Sequence, residues 1–179
     1  MAFVVDVQVP WWDGSALIVQ GEYESGYAKL AGAMKIWRAI EGRSLIPFAN
    51  MLMSQALMGL GRFDEAAGVL LEAVELIERT GHRTHESEVR CALGELLRRQ
   101  PAPNLEGAEA SFRKALDVAR AREARGSELR VAISLAGLWQ SQGKRKKAHE
   151  LLAPIYNWFT EGFDTKDLKE AKTLLAELA

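Results

Sequence analysis

Apolar residues in this chain return every three or four positions over long stretches, the spacing of one buried face on an α-helix. The periodicity predicts helices at about 11–20, 22–41, 44–60, 63–80, 84–100, 105–123, 126–142 and 145–160. A ninth is expected from about Thr165, where Leu168, Ala171, Leu174, Leu175 and Leu178 share one face and Lys166, Asp167, Lys169, Glu170 and Lys172 lie mostly elsewhere. Residues 3–9 break the pattern. There Val5, Val7 and Val9 alternate with Asp6 and Gln8, which reads as extended chain, and Pro10 suits the start of a helix better than its interior.

The pattern also repeats on a longer scale. Gly26-x3-Leu30-x2-Ala33 recurs as Ala66-x3-Leu70-x2-Ala73, Ala108-x3-Phe112-x2-Ala115 and Ala148-x3-Leu152-x2-Ile155, at steps of 40, 42 and 40 residues. Each copy is preceded by a small residue three places before a large one: Gly14 and Leu17, Ser54 and Leu57, Gly94 and Leu97, Ala136 and Trp139. Each unit therefore holds two helices, with a turn between them at Gly21, Gly61, Pro101-Ala102-Pro103-Asn104 and Gly143. Small residues at fixed places have a packing reason, because only Gly, Ala or Ser lets two crossing helices approach closely. Gly94 inside a helix costs about 1 kcal/mol against Ala, which close packing must offset.

This arrangement resembles the tetratricopeptide repeat over nearly the whole chain. That family's usual unit is 34 residues, so the longer period implies helices about three residues, or about 4–5 Å, longer. HEAT and armadillo repeats have periods nearer this one but lack the Ala-x3-aromatic-x2-Ala signature of Ala108 to Ala115. The resemblance implies an all-α, right-handed α-solenoid of about four antiparallel helix pairs in one domain. Its units would fall at about 8–42, 43–82, 83–124 and 125–162, with a capping helix over 165–178. The stretch that begins Leu151-Leu152-Ala153-Pro154-Ile155-Tyr156-Asn157-Trp158-Phe159 and runs to Leu168 carries a second likeness, joined by residues 112–119 and Ser127-Glu128-Leu129-Arg130. It is similar to the carboxyl-terminal region of bacterial signalling proteins in which a nucleotide cyclase domain and an AAA-like predicted ATPase precede a tetratricopeptide-like array. That likeness implies regulation or scaffolding, with upstream cyclase or ATPase domains as partners, and nothing catalytic for these residues.

Composition changes this picture little. Of 179 residues, 48% are hydrophobic and 26% charged, so neither disorder nor a membrane span is expected. A net charge of −1 gives no reason to expect nucleic acid. The split is mildly uneven, net −4 over residues 1–80 and +3 over 81–179. A lone cysteine, Cys91, and a first basic residue as late as Lys29 argue for a reducing cytoplasm and against a secretory leader.

No motif rises to a catalytic site, so the chain is expected not to be an enzyme and to need no cofactor or metal. The phosphate-binding loop Gly-x4-Gly-Lys-Ser/Thr is absent, since Gly143-Lys144 is followed by Arg145. His82 and His85 with Glu86 and Glu88 have metal-ligand residue types, but they sit at a helix start, where Thr84 and His85 suit an N-cap and acids suit the first turn. Cys91 has Glu95 one turn on and no histidine at helical spacing. Lys144-Arg145-Lys146-Lys147 could meet an acidic partner and opposes the helix dipole where it stands. Trp37, Trp139 and Trp158 read as core residues.

In the resembled fold the first helix of each pair lines a concave groove. The groove positions here would be Met51, Gln55, Met58, Glu88, Cys91, Glu95, Arg98, Arg99, Arg130, Ile133 and Gly137, a mixed protein-binding surface. The carboxylate clamp of some family members needs Lys and Asn at places held by Trp11, Met51, Cys91, Ser15, Gln55 and Glu95, so that ligand class is not expected. A rival reading makes the groove a small-molecule sensor, with Arg98, Arg99 and Arg130 around an anionic ligand. Trp11 and Trp12 stand at the amino-terminal end, where no polar capping helix precedes the array. They are expected to form an exposed contact surface for a second copy or a preceding domain.

Overall fold

The computed structural model describes residues 8–39 and 45–179. These form nine helices and no strand: α1 (Val9–Gln20), α2 (Tyr23–Ala39), α3 (Ile46–Gly59), α4 (Phe63–Thr80), α5 (Glu86–Arg99), α6 (Leu105–Ala121), α7 (Arg125–Ser141), α8 (Arg145–Tyr156) and α9 (Lys166–Leu178). The breakers lie where the pattern put them. Gly21 ends α1 with φ 87°, a left-handed conformation that its missing Cβ makes free of strain, and its N–H closes onto Ile18 and Leu17. Asn104 opens α6 by accepting the Gly107 N–H at 2.8 Å.

Short connections turn each helix back along its predecessor. Every helix packs on the next one in the chain, and in addition α1 packs on α3, α3 on α5, α5 on α7 and α7 on α9. Within a pair the contact depends on small residues. A Cβ at Gly14 would lie 2.9 Å from the Gly26 carbonyl oxygen, and one at Gly26 would lie 2.9 Å from that of Gly14. The equivalent positions Ser54, Ala66, Ala108, Ala136 and Ala148 are all 0% exposed, and the large residues Leu30, Leu57, Leu70, Phe112 and Leu152 fill the space beside them. All four copies of the second-helix motif bury its three positions, whereas in the first-helix motif Leu57 and Trp139 are buried and Leu17 and Leu97 only half-buried.

Polar residues lock one pair to the next. Asn50 on α3, fully buried, donates to the Val69 carbonyl and to Glu72 at 3.0 Å each, and Arg38 of α2 meets the same Glu72 at 2.8 Å. Arg90 joins buried Glu86 of α5 to Glu78 of α4. Glu128 of α7, 42 residues after Glu86, is held at 2.8 Å by both Arg120 and Arg125. Burial opposes its charge, but the two guanidinium hydrogen bonds outweigh that and hold its carboxyl below the usual range.

Four expectations need correction. Trp11 is 6% exposed, with its ring 6.0 Å from Trp37 and 6.4 Å from Phe48, because α1 turns that side onto α2 and α3. Trp12, one residue on, points the other way and is 70% exposed. Val9 opens α1 and is not extended, as Pro10 in the first turn favours helix there; residues 3–7 of the expected extended segment, and the predicted end of the second helix at 41, lie outside the described residues. α8 stops at Tyr156, two residues past Pro154, whose missing N–H weakens the last turn. That leaves Trp158 beyond the helix and 56% exposed, with Arg125 5.2 Å over its ring, so it is not a core residue.

The crossings set opposite signs on one substitution. A Cβ at Gly94 would fall 2.5–2.9 Å from the ring of fully buried Phe112, whereas Gly32 and Gly68 have nothing within 4 Å. Gly94→Ala should therefore destabilise by about 1–3 kcal/mol through overpacking. Gly32→Ala and Gly68→Ala should each stabilise by about 0.5–1 kcal/mol through helix propensity. Urea midpoints measure all three, and a stable Gly94→Ala protein would show that the crossing is not tight.

The Glu128 pairing predicts a pH signature. Because the folded-state pKa is depressed, its contribution is present above the unfolded carboxylate value and is lost as pH falls through the folded one. Glu128→Gln should cost about 1.5–3 kcal/mol at pH 7, and the gap from the wild type should close below about pH 4. Denaturant melts across pH 3–7 would read the closing gap, and a pH-independent difference would contradict the assignment.

Candidate binding groove

Because the odd-numbered helices touch one another in series, one side of each faces a shared hollow. Met51, Gln55 and Met58 of α3, Glu88, Cys91, Glu95, Arg98 and Arg99 of α5, and Arg130 and Ile133 of α7 line it, in a cavity of about 590 Å³. Ile18 and Val19 of α1 with Tyr23 of α2 form one end, and Lys166, Asp167 and Glu170 of α9 the other. A second hollow of about 450 Å³ continues between α5, α7 and α9, with Gly137 in its wall. Every groove position named from the sequence lies on one of these two surfaces. Trp11 and Trp12 lie on neither.

The groove differs along its length. Its α1–α3 end is apolar, with Val19, Tyr23, Met51 and Met58, and Gln55 donates to the Met51 sulfur at 3.2 Å. From α5 onward it is a lattice of charges. Ser127 donates to Glu88 at 2.6 Å, Arg130 reaches Ser127 at 3.3 Å and Asp167 at 3.1 Å, and Arg98 pairs with Glu95 at 2.6 Å. Arg99 is exposed and has no carboxylate partner among the described residues.

Cys91 sits under this lattice with its sulfur 3.9 Å from the Ser134 hydroxyl. Burial pushes its thiol up to about 12, more than the Ser134 hydrogen bond draws it down. The groove members that sequence reasoning missed have unequal causes. Ser134 is 42 residues after Ala92 and was within reach of the repeat register, whereas Asp167 and Glu170 come from α9, which stands outside the repeat.

The rival constellations disperse. His82 is exposed, and His85 lies half-buried with its ring 4.8 Å from Phe48; burial lowers its pKa, and it opens α5 as an N-cap that makes no side-chain capping bond. Glu86 turns to Arg90 and Glu88 to Ser127, so the four side chains do not converge. Among the described residues no three His, Cys, Asp or Glu gather as a metal shell. The basic run is largely used internally. Lys144 and Lys147 meet Glu109 at 3.8 and 3.4 Å, Lys147 lies 3.9 Å over the Trp139 ring, Lys146 pairs with Glu150, and Arg145 donates to the Glu177 carbonyl. The run ties α8 to its neighbours in place of helix-dipole stabilisation. Burial works to raise the pKa of Glu109, but the Trp139 indole, Arg113 and Lys147 hold it low.

No protein-family profile matches the chain, and no curated protein matches it. No helix among the described residues is long and apolar enough to cross a membrane.

The buried thiol sets a reactivity. With its pKa near 12, Cys91 in the folded chain at pH 8 should react with iodoacetamide about 1,000-fold more slowly than in urea, where an ordinary pKa returns. Mass-spectrometric labelling rates test this, and fast labelling of the folded chain would mean that the groove opens to the sulfur.

Proposed function

We propose that this chain is a tetratricopeptide-like array, a right-handed solenoid of four helix pairs with α9 as its cap, and that it binds segments of other proteins in its groove. The observation that carries the reading is the convergence of Met51 of α3, Cys91 of α5 and Ile133 of α7, each one repeat step from the next, with side chains of α1 and α9 on a single hollow. Its mixed lining suits a peptide: the end bordered by half-buried Tyr23 and floored by the nearly buried Met51 and Met58 offers apolar contact, and the Glu88–Arg130–Asp167 lattice offers polar contacts that fix direction. The likeness of residues 151–168 to arrays of bacterial signalling proteins supports a regulatory or scaffolding role beside cyclase or ATPase domains, in a cytoplasmic setting. The absence of a convergent set of reactive side chains among the described residues leaves catalysis without support.

An anionic small molecule fits the same groove less well. Arg130 is already matched by Glu88 and Asp167, and Arg98 by Glu95, which leaves only Arg99 and Lys166 of the groove's cations without a carboxylate partner among the described residues.

Panning a random peptide library on the immobilised chain tests the reading. Enriched peptides should lose about tenfold or more in affinity to Gln55→Arg/Arg99→Glu and keep it with Lys146→Glu, which lies outside the groove. Peptides indifferent to the groove change would overturn the proposal, as would stabilisation by small anions that vanishes in Arg99→Ala while no peptide binds.

A further inference from the structure

α1 carries an apolar stripe that no described part of the chain covers. Trp12 is 70%, Val19 78% and Val9 48% exposed, and Ala16 is exposed with them. Positions 9, 12, 16 and 19 share one face, opposite the buried Trp11, Gly14 and Ile18. The repeat register says what this face is. Forty residues on, α3 has Ala49, Leu52 and Ala56 at the same places, all buried, and Gly59 at the fourth. Against Gly59 lies the ring of Tyr23 from the preceding pair, so closely that a Cβ there would sit 2.3 Å from it. The face is thus the one by which a unit joins its predecessor.

We propose that this stripe joins the same stripe of a second copy, antiparallel about a twofold axis. The sequence of α1 is self-complementary in that register. An antiparallel pair centred at the level of Gly14 sets Trp12 against the second copy's Ala16 and Val9 against its Val19, large on small and branched on branched. Polar residues agree: Gln8 opposes Gln20, Asp13 opposes Ser15, and no like charges meet. Asp13 is in any case held by Lys29 at 3.1 Å. Stacking of copies head to tail is disfavoured, because the outer face of α9 presents the exposed Lys169 and Lys172 to the stripe.

The contact is small. Twelve residues of helix span about 18 Å, and one such stripe falls short of the roughly 800 Å² per partner of a standard interface, so the dimer is reversible and depends on concentration.

Sedimentation equilibrium of the full chain from about 5 to about 500 µM reads it, a range that brackets micromolar association. The wild type should approach twice its monomer mass at the upper end, and Trp12→Glu should stay monomeric with an unchanged melting temperature. Ala16→Trp supplies the sharper test, since it adds apolar surface yet sets Trp against Trp; it should weaken association by about tenfold. The size swap Trp12→Ala/Ala16→Trp should restore association to within about threefold of the wild type. A wild type that is monomeric throughout would overturn the proposal and leave the stripe to a helix of another chain. A dimer untouched by Trp12→Glu, or one strengthened by Ala16→Trp, would overturn it equally, the latter indicating unspecific apolar adhesion.

Discussion

The structure depends on how closely two helices can cross. At Gly14 and Gly26 each glycine's missing Cβ leaves room for the other's backbone, at Gly94 it leaves room for the Phe112 ring, and the equivalent positions Ser54, Ala66, Ala108, Ala136 and Ala148 are small and fully buried. Close crossing brings Leu30, Leu70, Phe112 and Leu152 into full burial. Each removes a large apolar side chain from water, worth about 1.5–3 kcal/mol. Since the same contact recurs at a nearly constant step, the pairs have similar shape and can stack in series.

From that stacking the groove follows without dedicated residues. Once α1, α3, α5, α7 and α9 touch in order, one strip of each is left facing the same hollow. Part of that strip is only partly buried and can carry charge, which is why Glu88, Glu95, Arg98 and Arg130 stand there between buried neighbours such as Val89, Leu96 and Leu129, whereas Met51, Met58 and Ile133 on it are buried and apolar. The charges then satisfy one another, and the groove is polar without a strong net sign. Glu86 and Glu128 show a different use of charge, each buried at the start of its helix and held by arginines that tie it to the unit before.

The two ends of the array are chemically unlike. α9 buries Leu168, Ala171, Leu174 and Leu178 against α7 and α8 and turns lysines outward. α1 has a joint face of the same kind as α3, with Val9, Trp12 and Val19 left exposed. The paired tryptophans illustrate how finely a helix divides its neighbours: one residue, or about 100° of rotation, separates a core side chain from the most prominent apolar group on that helix.

Helix type, the positions of the turns and the buried set were legible in the sequence because each is a periodic property: a 3.6-residue face, a breaker at a helix end, a small residue at a crossing. Of the eight α3, α5 and α7 members of the groove among the proposed binding residues, six were legible for the same reason, standing one register step apart as Met51 and Cys91, Gln55 and Glu95, and Glu88 and Arg130. What the sequence could not determine is which of two adjacent residues turns onto Trp37 and Phe48, so Trp11 and Trp12 looked alike. Nor could it show that Glu88, Ser127, Arg130 and Asp167 close into one lattice, since they come from three helices and their meeting depends on the distance between α5, α7 and α9. Only the tertiary structure decided these points, because they are fixed by the relative rotation and spacing of helices far apart in the chain, and no local pattern encodes either.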